Sequence, residues 1–304
     1  MLSAKTYVTK RPTSIELEGI MFEEFPVLDH GFIRVTDYLG TDQSISAAAR
    51  ISYQKGTRPI SEDKALINYL IRNWHNTPVE QCEIQLHVKM PVFVARQWIR
   101  HRTANVNEMS ARYSILDKEF YIPRDQDMSV QSMTNKQGRE AVPVTEEQAQ
   151  RIRDLLIRDA NQCYATYEEL LNDPESEDYE PSLPSLAREL ARMNLPVNIY
   201  TQWVWKVDLH NLFNFLRLRA DSHAQYEIRV YAEVILNKIV ARWVPIATEA
   251  FLQYRHNNIN LSVREQEQMG KLLSHKVNID DIPDGWNKRE WAEYVAKVER
   301  LLNA

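Results

Sequence analysis

Seven glycines are spread over 304 residues, and the two closest, Gly31 and Gly40, stand nine apart. Neither G-x-G-x-x-G nor G-x-x-x-x-G-K can be written in such a chain. A nucleotide or dinucleotide bound here is held without a Rossmann fingerprint or a P-loop. Its phosphates must meet side chains and helix ends instead. The two cysteines, Cys82 and Cys163, form no C-x-x-C and no disulfide framework, which points to a reducing compartment. No H-E-x-x-H and no histidine pair at i, i+4 occurs, so no metal site is expected.

The apolar period places the elements. Phe32-Ile33-Arg34-Val35 predicts a short strand, and residues before it show no clear period and read as an arm. Thr41 to Ser44 can cap a helix through Ile51. Leu66, Leu70 and Trp74 stripe a second helix that stops near His75-Asn76-Thr77-Pro78. Cys82, Ile84, Leu86, Val88 and Met90 alternate with polar residues, the pattern of a half-buried strand. Pro91 opens a helix reaching about Arg102. Val106 to Tyr113 is loop or short strand, and 114–143 reads as an irregular excursion. Thr145-Glu146-Glu147-Gln148 is a capping box for a long amphipathic helix with Ile152, Leu155, Leu156, Cys163, Tyr167 and Leu170 at helical spacing. Val197 to Trp205, β-branched and aromatic, predicts a second strong strand. Asp208 can cap a helix with Leu212, Phe215 and Leu216, and a further helix spans about Ala224 to Trp243. The class expected is α+β: helix-rich, with a small, mostly antiparallel sheet. It divides into an N-terminal arm (1–31), a core (32–255) and a C-terminal helical extension (256–304).

Three segments concentrate polar groups that a plain core does not need. Arg96, Arg100, His101, Arg102 and Arg112 gather four arginines and a histidine against one acid, Glu108. Adjacent cations repel unless an anion sits among them, and guanidinium forks suit phosphate, carboxylate or an imide edge. Asn105, Asn107, Glu108, Ser110, Arg112 and Tyr113 crowd donors and acceptors into a short loop that can read a small polar ring. In Arg217-Leu218-Arg219-Ala220-Asp221-Ser222-His223, Arg219 and His223 share a helix face. Taken singly, each segment also reads as solvated helix face, turn or salt-bridged junction. Both cysteines fall on the apolar stripe of their element and read as packing residues rather than nucleophiles.

Taken together the segments resemble flavin-dependent thymidylate synthases. The signature is Arg100-His101-Arg102, seven residues, then Ser110, continuing into Arg112-Tyr113. His75-x-Thr77-Pro78-x-Glu80 resembles that family's flavin-contacting turn, and Leu216 to Gln225 its distal motif. The resemblance covers roughly residues 32–255. It implies a homotetramer with FAD between subunits, making dTMP from dUMP with methylenetetrahydrofolate as carbon donor and NADPH as reductant. Hydride would come from reduced flavin, and no cysteine would act as nucleophile. Gln97, Arg100, Glu108, Ser110, Arg112, Gln202 and Arg219 would contact dUMP. His75, Thr77, Glu80, Arg100, His101, Arg102, Glu108, Asp208, His210, Asn214 and His223 would contact FAD. Arg219 at the uracil edge and Ser110 as a polar orienter would carry the catalytic roles. Two positions depart from the pattern. Gln202 stands where some members carry an arginine toward the dUMP phosphate, with Lys206 or Arg112 able to compensate. Asp208-Leu209-His210 stands where others read Asn-Ala-Arg.

Two other readings compete at this level: a nucleotide or nucleic-acid module using the basic helix at 96–102, and a helical interaction protein with structural charges only. The net charge of −5 opposes broad polyanion binding. No run approaches the ~18 apolar residues of a membrane span, and the N-terminal residues lack the apolar stretch of a signal peptide. A cytoplasmic enzyme without nucleic-acid or membrane partners is expected.

Overall fold

The computed structural model describes residues 10–51, 60–133, 138–273, 279, 281–286 and 288–302. The first nine residues of the expected arm lie outside them. The chain separates into two units, 1–256 and 257–304.

The first unit opens with α1 (Ile15–Glu18), β1 (Phe25–Val27), β2 (Gly31–Leu39), α2 (Asp42–Ile51) and α3 (Ile60–Arg72). A 3-10 turn at Val79–Gln81 leads into β3 (Glu83–Pro91), α4 (Val92–Trp98) and β4 (Asn105–Glu108). A hairpin of β5 (Ser129–Gln131) and β6 (Arg139–Pro143) precedes α5 (Glu146–Leu171) and α6 (Arg188–Ala191). Then come β7 (Tyr200–Asp208), α7 (Leu209–Arg219), α8 (Tyr226–Val234), α9 (Ala241–Trp243) and α10 (Pro245–Phe251). Five strands form one antiparallel sheet in the order β1-β2-β3-β7-β4.

One face of this sheet is the core. Ile84, Leu86, Val88 and Met90 of β3 stand beside Val207, Trp205, Trp203 and Thr201 of β7, all buried. Trp98 of α4 stacks on Phe215 of α7 at 4.6 Å and meets Trp205 edge-on at 5.1 Å, closing an aromatic cluster over that face. The other face keeps half-buried polar residues, among them His87, Lys89, Gln202 and Lys206. The alternation read from the sequence therefore holds for β3, and the strand expected over Val197 to Trp205 forms three residues later, as β7.

Several elements differ from the sequence expectation. The arm contributes α1, capped by the Ser14 hydroxyl, and the edge strand β1. A three-residue strand containing Pro26 carries no readable period, and proline is tolerated at a sheet edge. Helix α4 ends at Trp98, short of Arg102, because the chain must turn back to pair Asn105 of β4 with Lys206 of β7. The expected excursion at 114–143 holds the β5–β6 hairpin. The long helix expected to Trp243 loosens into a π-helical stretch at Ile235–Val240. Two glycines are required by contact. A Cβ at Gly31 would overlap the Tyr231 hydroxyl, which donates to the Lys89 carbonyl at 2.8 Å. Gly40 turns into α2 at φ +83°, with Cys82 Sγ 2.8 Å from where a Cβ would stand.

The second unit comprises α11 (Val263–Leu273) and α12 (Lys288–Leu302). Trp291, Tyr294 and Val298 pack with Met269, Leu272 and Trp286. Lys297 donates to Glu265 at 2.5 Å, and Arg264 stacks over Trp286 at 4.2 Å.

Candidate active site

The turn after α4 and the end of α7 meet around a cavity of about 270 Å³. Arg100, His101, Arg102, Asn214 and Arg219 line it, with Trp205 and Val207 of β7 as its apolar wall. Among the described residues no carboxylate lines it. The side chains of Arg100 and Arg102 are exposed and have no hydrogen-bond or salt-bridge partner among the described residues. Such a donor set suits an anion with several acceptor oxygens.

Arg219 is held by His101. Its Nε, which can only donate, lies 3.0 Å from His101 Nε2, so the imidazole accepts there and carries its proton on Nδ1. Burial, and then the neighbouring Arg219 charge, push the His101 pKa down to about 4. The ring is neutral at physiological pH and leaves the guanidinium charge uncompensated. Its ring meets Phe215 edge-on at 5.0 Å.

Arg219 also lines a larger neighbouring cavity of about 730 Å³. Gln97 and His223 border it from one side, and Ser129, Gln131 and Arg139 of the hairpin from the other. Arg139 Nη2 donates to both oxygens of the buried Glu227 on α8 at 2.8 Å, which fastens the hairpin beside the cavity. Neither Arg139 nor Glu227 was signalled by any spacing in the sequence. They meet across 88 residues, and only the fold brings them together. His223 is exposed and leans on Asp221 at 2.8 Å.

The remaining expected residues lie elsewhere. His75 and Thr77 border a groove of about 710 Å³ beside Tyr69, Trp74 and Leu66, with Glu80 exposed on the following 3-10 turn. Trp74 adopts φ 60°, and Arg255 stacks over its ring at 4.1 Å. Glu108 accepts from the Thr201 hydroxyl at 2.8 Å. Ser110 Oγ accepts from the Arg112 backbone N–H at 3.2 Å, and Arg112 is exposed near Glu189. Both carboxylate oxygens of Asp208 are engaged by Asn211, one by its backbone N–H at 3.0 Å and one by its side chain at 2.7 Å. That residue caps α7. Nδ1 of His210 is buried and has no partner among the described residues. Gln202 lies on the polar face of the sheet, opposite to the face on which Arg219, His101 and Phe215 sit. Lys206, the expected compensating cation, pairs with Glu83 at 3.2 Å.

Cys82 is fully buried, and burial raises its thiol pKa to about 12, with Asp42 nearby adding to the effect. Cys163 is only partly buried on α5, against the expectation of a packed position, and it lines neither arginine cavity.

The profile of the Thymidylate synthase complementing protein family matches residues 34–246. The chain belongs to the flavin-dependent thymidylate synthase family. The enzyme of that name from Ruegeria pomeroyi is 53% identical over 297 residues, covering 98% of this chain and 95% of that one. The Rickettsia bellii enzyme is 53% identical over 286 residues, covering 94% and 97%. A UMP/dUMP methylase, PolB from Streptomyces cacaoi, solved with 5-Br UMP, superposes with a TM-score of 0.66 at 27% identity, covering 76% of this chain and 97% of that one. The matches to the two synthases run well past the 32–255 stretch carrying the motifs, so most of the arm and extension is shared with these relatives.

Proposed function

We propose that this chain methylates dUMP to dTMP as a flavin-dependent methyltransferase, with methylenetetrahydrofolate as carbon donor and NADPH as reductant. The observation that carries the reading is the acid-free cavity in which Arg100, Arg102 and Arg219 converge. The donor set fits FAD. Arg100, Arg102 and His101 would hold its diphosphate end, with Asn214, His75 and Thr77 as further contacts, and no glycine loop is needed. FAD supplies the redox chemistry of the methylation when bound.

The protein's own part is electrostatic. C5 of uracil becomes nucleophilic only when negative charge develops over the ring, and a fixed cation at the ring edge favours that charge. Arg219 fills this role, oriented by a neutral imidazole that does not compete for its charge. A cysteine route is poorly served, because Cys82 is fully buried and burial together with the nearby Asp42 charge keeps its thiol protonated. Ser110 acts as a loop orienter through its bond to Arg112.

The two sides of β7 also bear on assembly. Arg219 and Gln202 lie on opposite faces of the sheet, so a nucleotide touching both takes Gln202 from another copy. A homotetramer with sites between subunits supplies that copy. The cytoplasm is the place of the reaction. None of the described helices is long and apolar enough to cross a membrane.

The test is direct. The purified chain should show an oxidised-flavin spectrum that NADPH bleaches, and it should release the C5 hydrogen of dUMP as dTMP forms. Arg219→Ala should keep the spectrum and lose about 10²-fold or more in kcat/KM. A chain that purifies without flavin and takes none up would end this reading.

A further inference from the structure

On the polar face of the sheet, Arg34, His87 and Gln202 form a hydrogen-bond chain whose direction is fixed at each link. Arg34 of β2 stands opposite His87 of β3, and its Nε lies 3.0 Å from His87 Nδ1. A guanidinium nitrogen can only donate, so Nδ1 accepts and the proton of the neutral ring sits on Nε2. Nε2 lies 2.9 Å from Gln202 Oε1. The oxygen of that amide is therefore held against the ring, and its NH2 is turned away. No described residue receives the NH2. Arg34 is itself anchored, with Nη1 donating to Glu24 at 2.9 Å, and the Phe32 ring meets His87 edge-on at 5.1 Å.

The charged groups around the imidazole are consistent with a neutral ring. Arg34 and Glu24 approach from the β2 side, and Lys89, two residues along β3, is taken by Glu119. Burial is the main cause that holds the His87 pKa below its ordinary value.

An amide whose oxygen is held against a ring N–H keeps its NH2 on the outward side, and two N–H donors there match a phosphate, whose oxygens only accept. Asn105 and Asn107 of β4 share this face and add further donors, whereas Lys206 of β7 is paired with Glu83. We propose that His87 is a positioning residue: through the Arg34–His87–Gln202 chain it presents the Gln202 NH2 to the phosphate of dUMP bound by a neighbouring copy. This rests on the reading above that Gln202 meets the nucleotide.

The experiment is steady-state kinetics on the FAD-loaded full chain, with thermal midpoints as a folding control. His87→Ala should raise the KM for dUMP about 3- to 10-fold and leave kcat within about twofold. The double variant with Gln202→Ala should be no worse than Gln202→Ala alone. Gln202→Glu, which turns a bare oxygen to the phosphate, should raise KM more than Gln202→Ala. A wild-type KM for Gln202→Ala would remove the reading that Gln202 touches dUMP. A raised KM for Gln202→Ala beside an unchanged or additive His87→Ala would overturn the positioning role alone. Should His87→Ala not fold, imidazole 15N NMR of the wild-type protein decides: a proton on Nε2 supports the chain, and a proton on Nδ1 refutes it.

Discussion

His101 sits inside the Arg-His-Arg run that a sequence reads as three cations, yet it is not one. Burial and Arg219 hold its pKa near 4, below the ordinary 6.5. The sign follows from that depression. Above pH 6.5 both folded and unfolded rings are neutral. As the pH falls from about 6.5 toward 4, the unfolded chain takes up a proton that the folded one refuses, and stability drops. Denaturant melts at several pH values should show this loss in the wild type and a flatter profile in His101→Gln. Equal profiles would place the titration elsewhere. Cys82 makes the complementary case. The alternation running from it into β3 already marks it as core, and the structure adds that its Sγ donates to the Thr41 carbonyl at 3.6 Å. Cys82→Ala should lower stability by about 1 kcal/mol and keep dTMP formation. Loss of turnover in a folded variant would restore a thiol route. The charge state of His101 was not legible in sequence, because it depends on a partner 118 residues away.

Helix α7 shows how one side chain can satisfy a local rule and a family pattern at different levels. Asp208 reads as an N-cap from sequence, and in the fold its carboxylate does accept from Asn211 N–H. The resemblance assigns the same residue to FAD. The two roles separate by substitution. Asp208→Ser keeps a capping oxygen and should melt within a few tenths of a kcal/mol of the wild type, whereas Asp208→Ala should cost about 1 kcal/mol. If the carboxylate touches the flavin, both variants weaken FAD retention alike in a spectroscopic titration. If it only caps, Asp208→Ser retains FAD as the wild type does. Elements with strong local signals, such as the alternation of β3 and the capping box of α5, were legible to within a few residues. Those set by distant pairing were not. α4 stops early because β4 must reach β7, and β1 exists only because β2 is there to pair with it.

At the scale of the whole molecule, the sheet divides the expected dUMP contacts into two sets on opposite faces, which under the proposed function come from different copies. Arg219 and Gln97 belong to the helix-covered side, and Gln202 to the polar side. The helix α5 points the same way. Leu155, Leu156, Ile157 and Leu170 are 36–41% exposed in the single chain, although the sequence reads three of the four positions as an apolar stripe. Periodicity says which residues are apolar, but not whether their cover comes from the same chain or from another. Both observations predict complementation. Arg219→Ala and Gln202→Ala chains, each impaired alone, carry their defects on different sides of a shared site. In hybrid tetramers co-expressed in equal amounts from two differently tagged copies, a site is intact only when its Arg219 comes from one variant and its Gln202 from the other. Random mixing gives that arrangement at roughly a quarter of sites. The hybrid should recover about that fraction of wild-type dTMP formation. Activity equal to the mean of the two parents would mean that each chain builds its site alone, and the placement of Gln202 at a neighbour's nucleotide would fail with it.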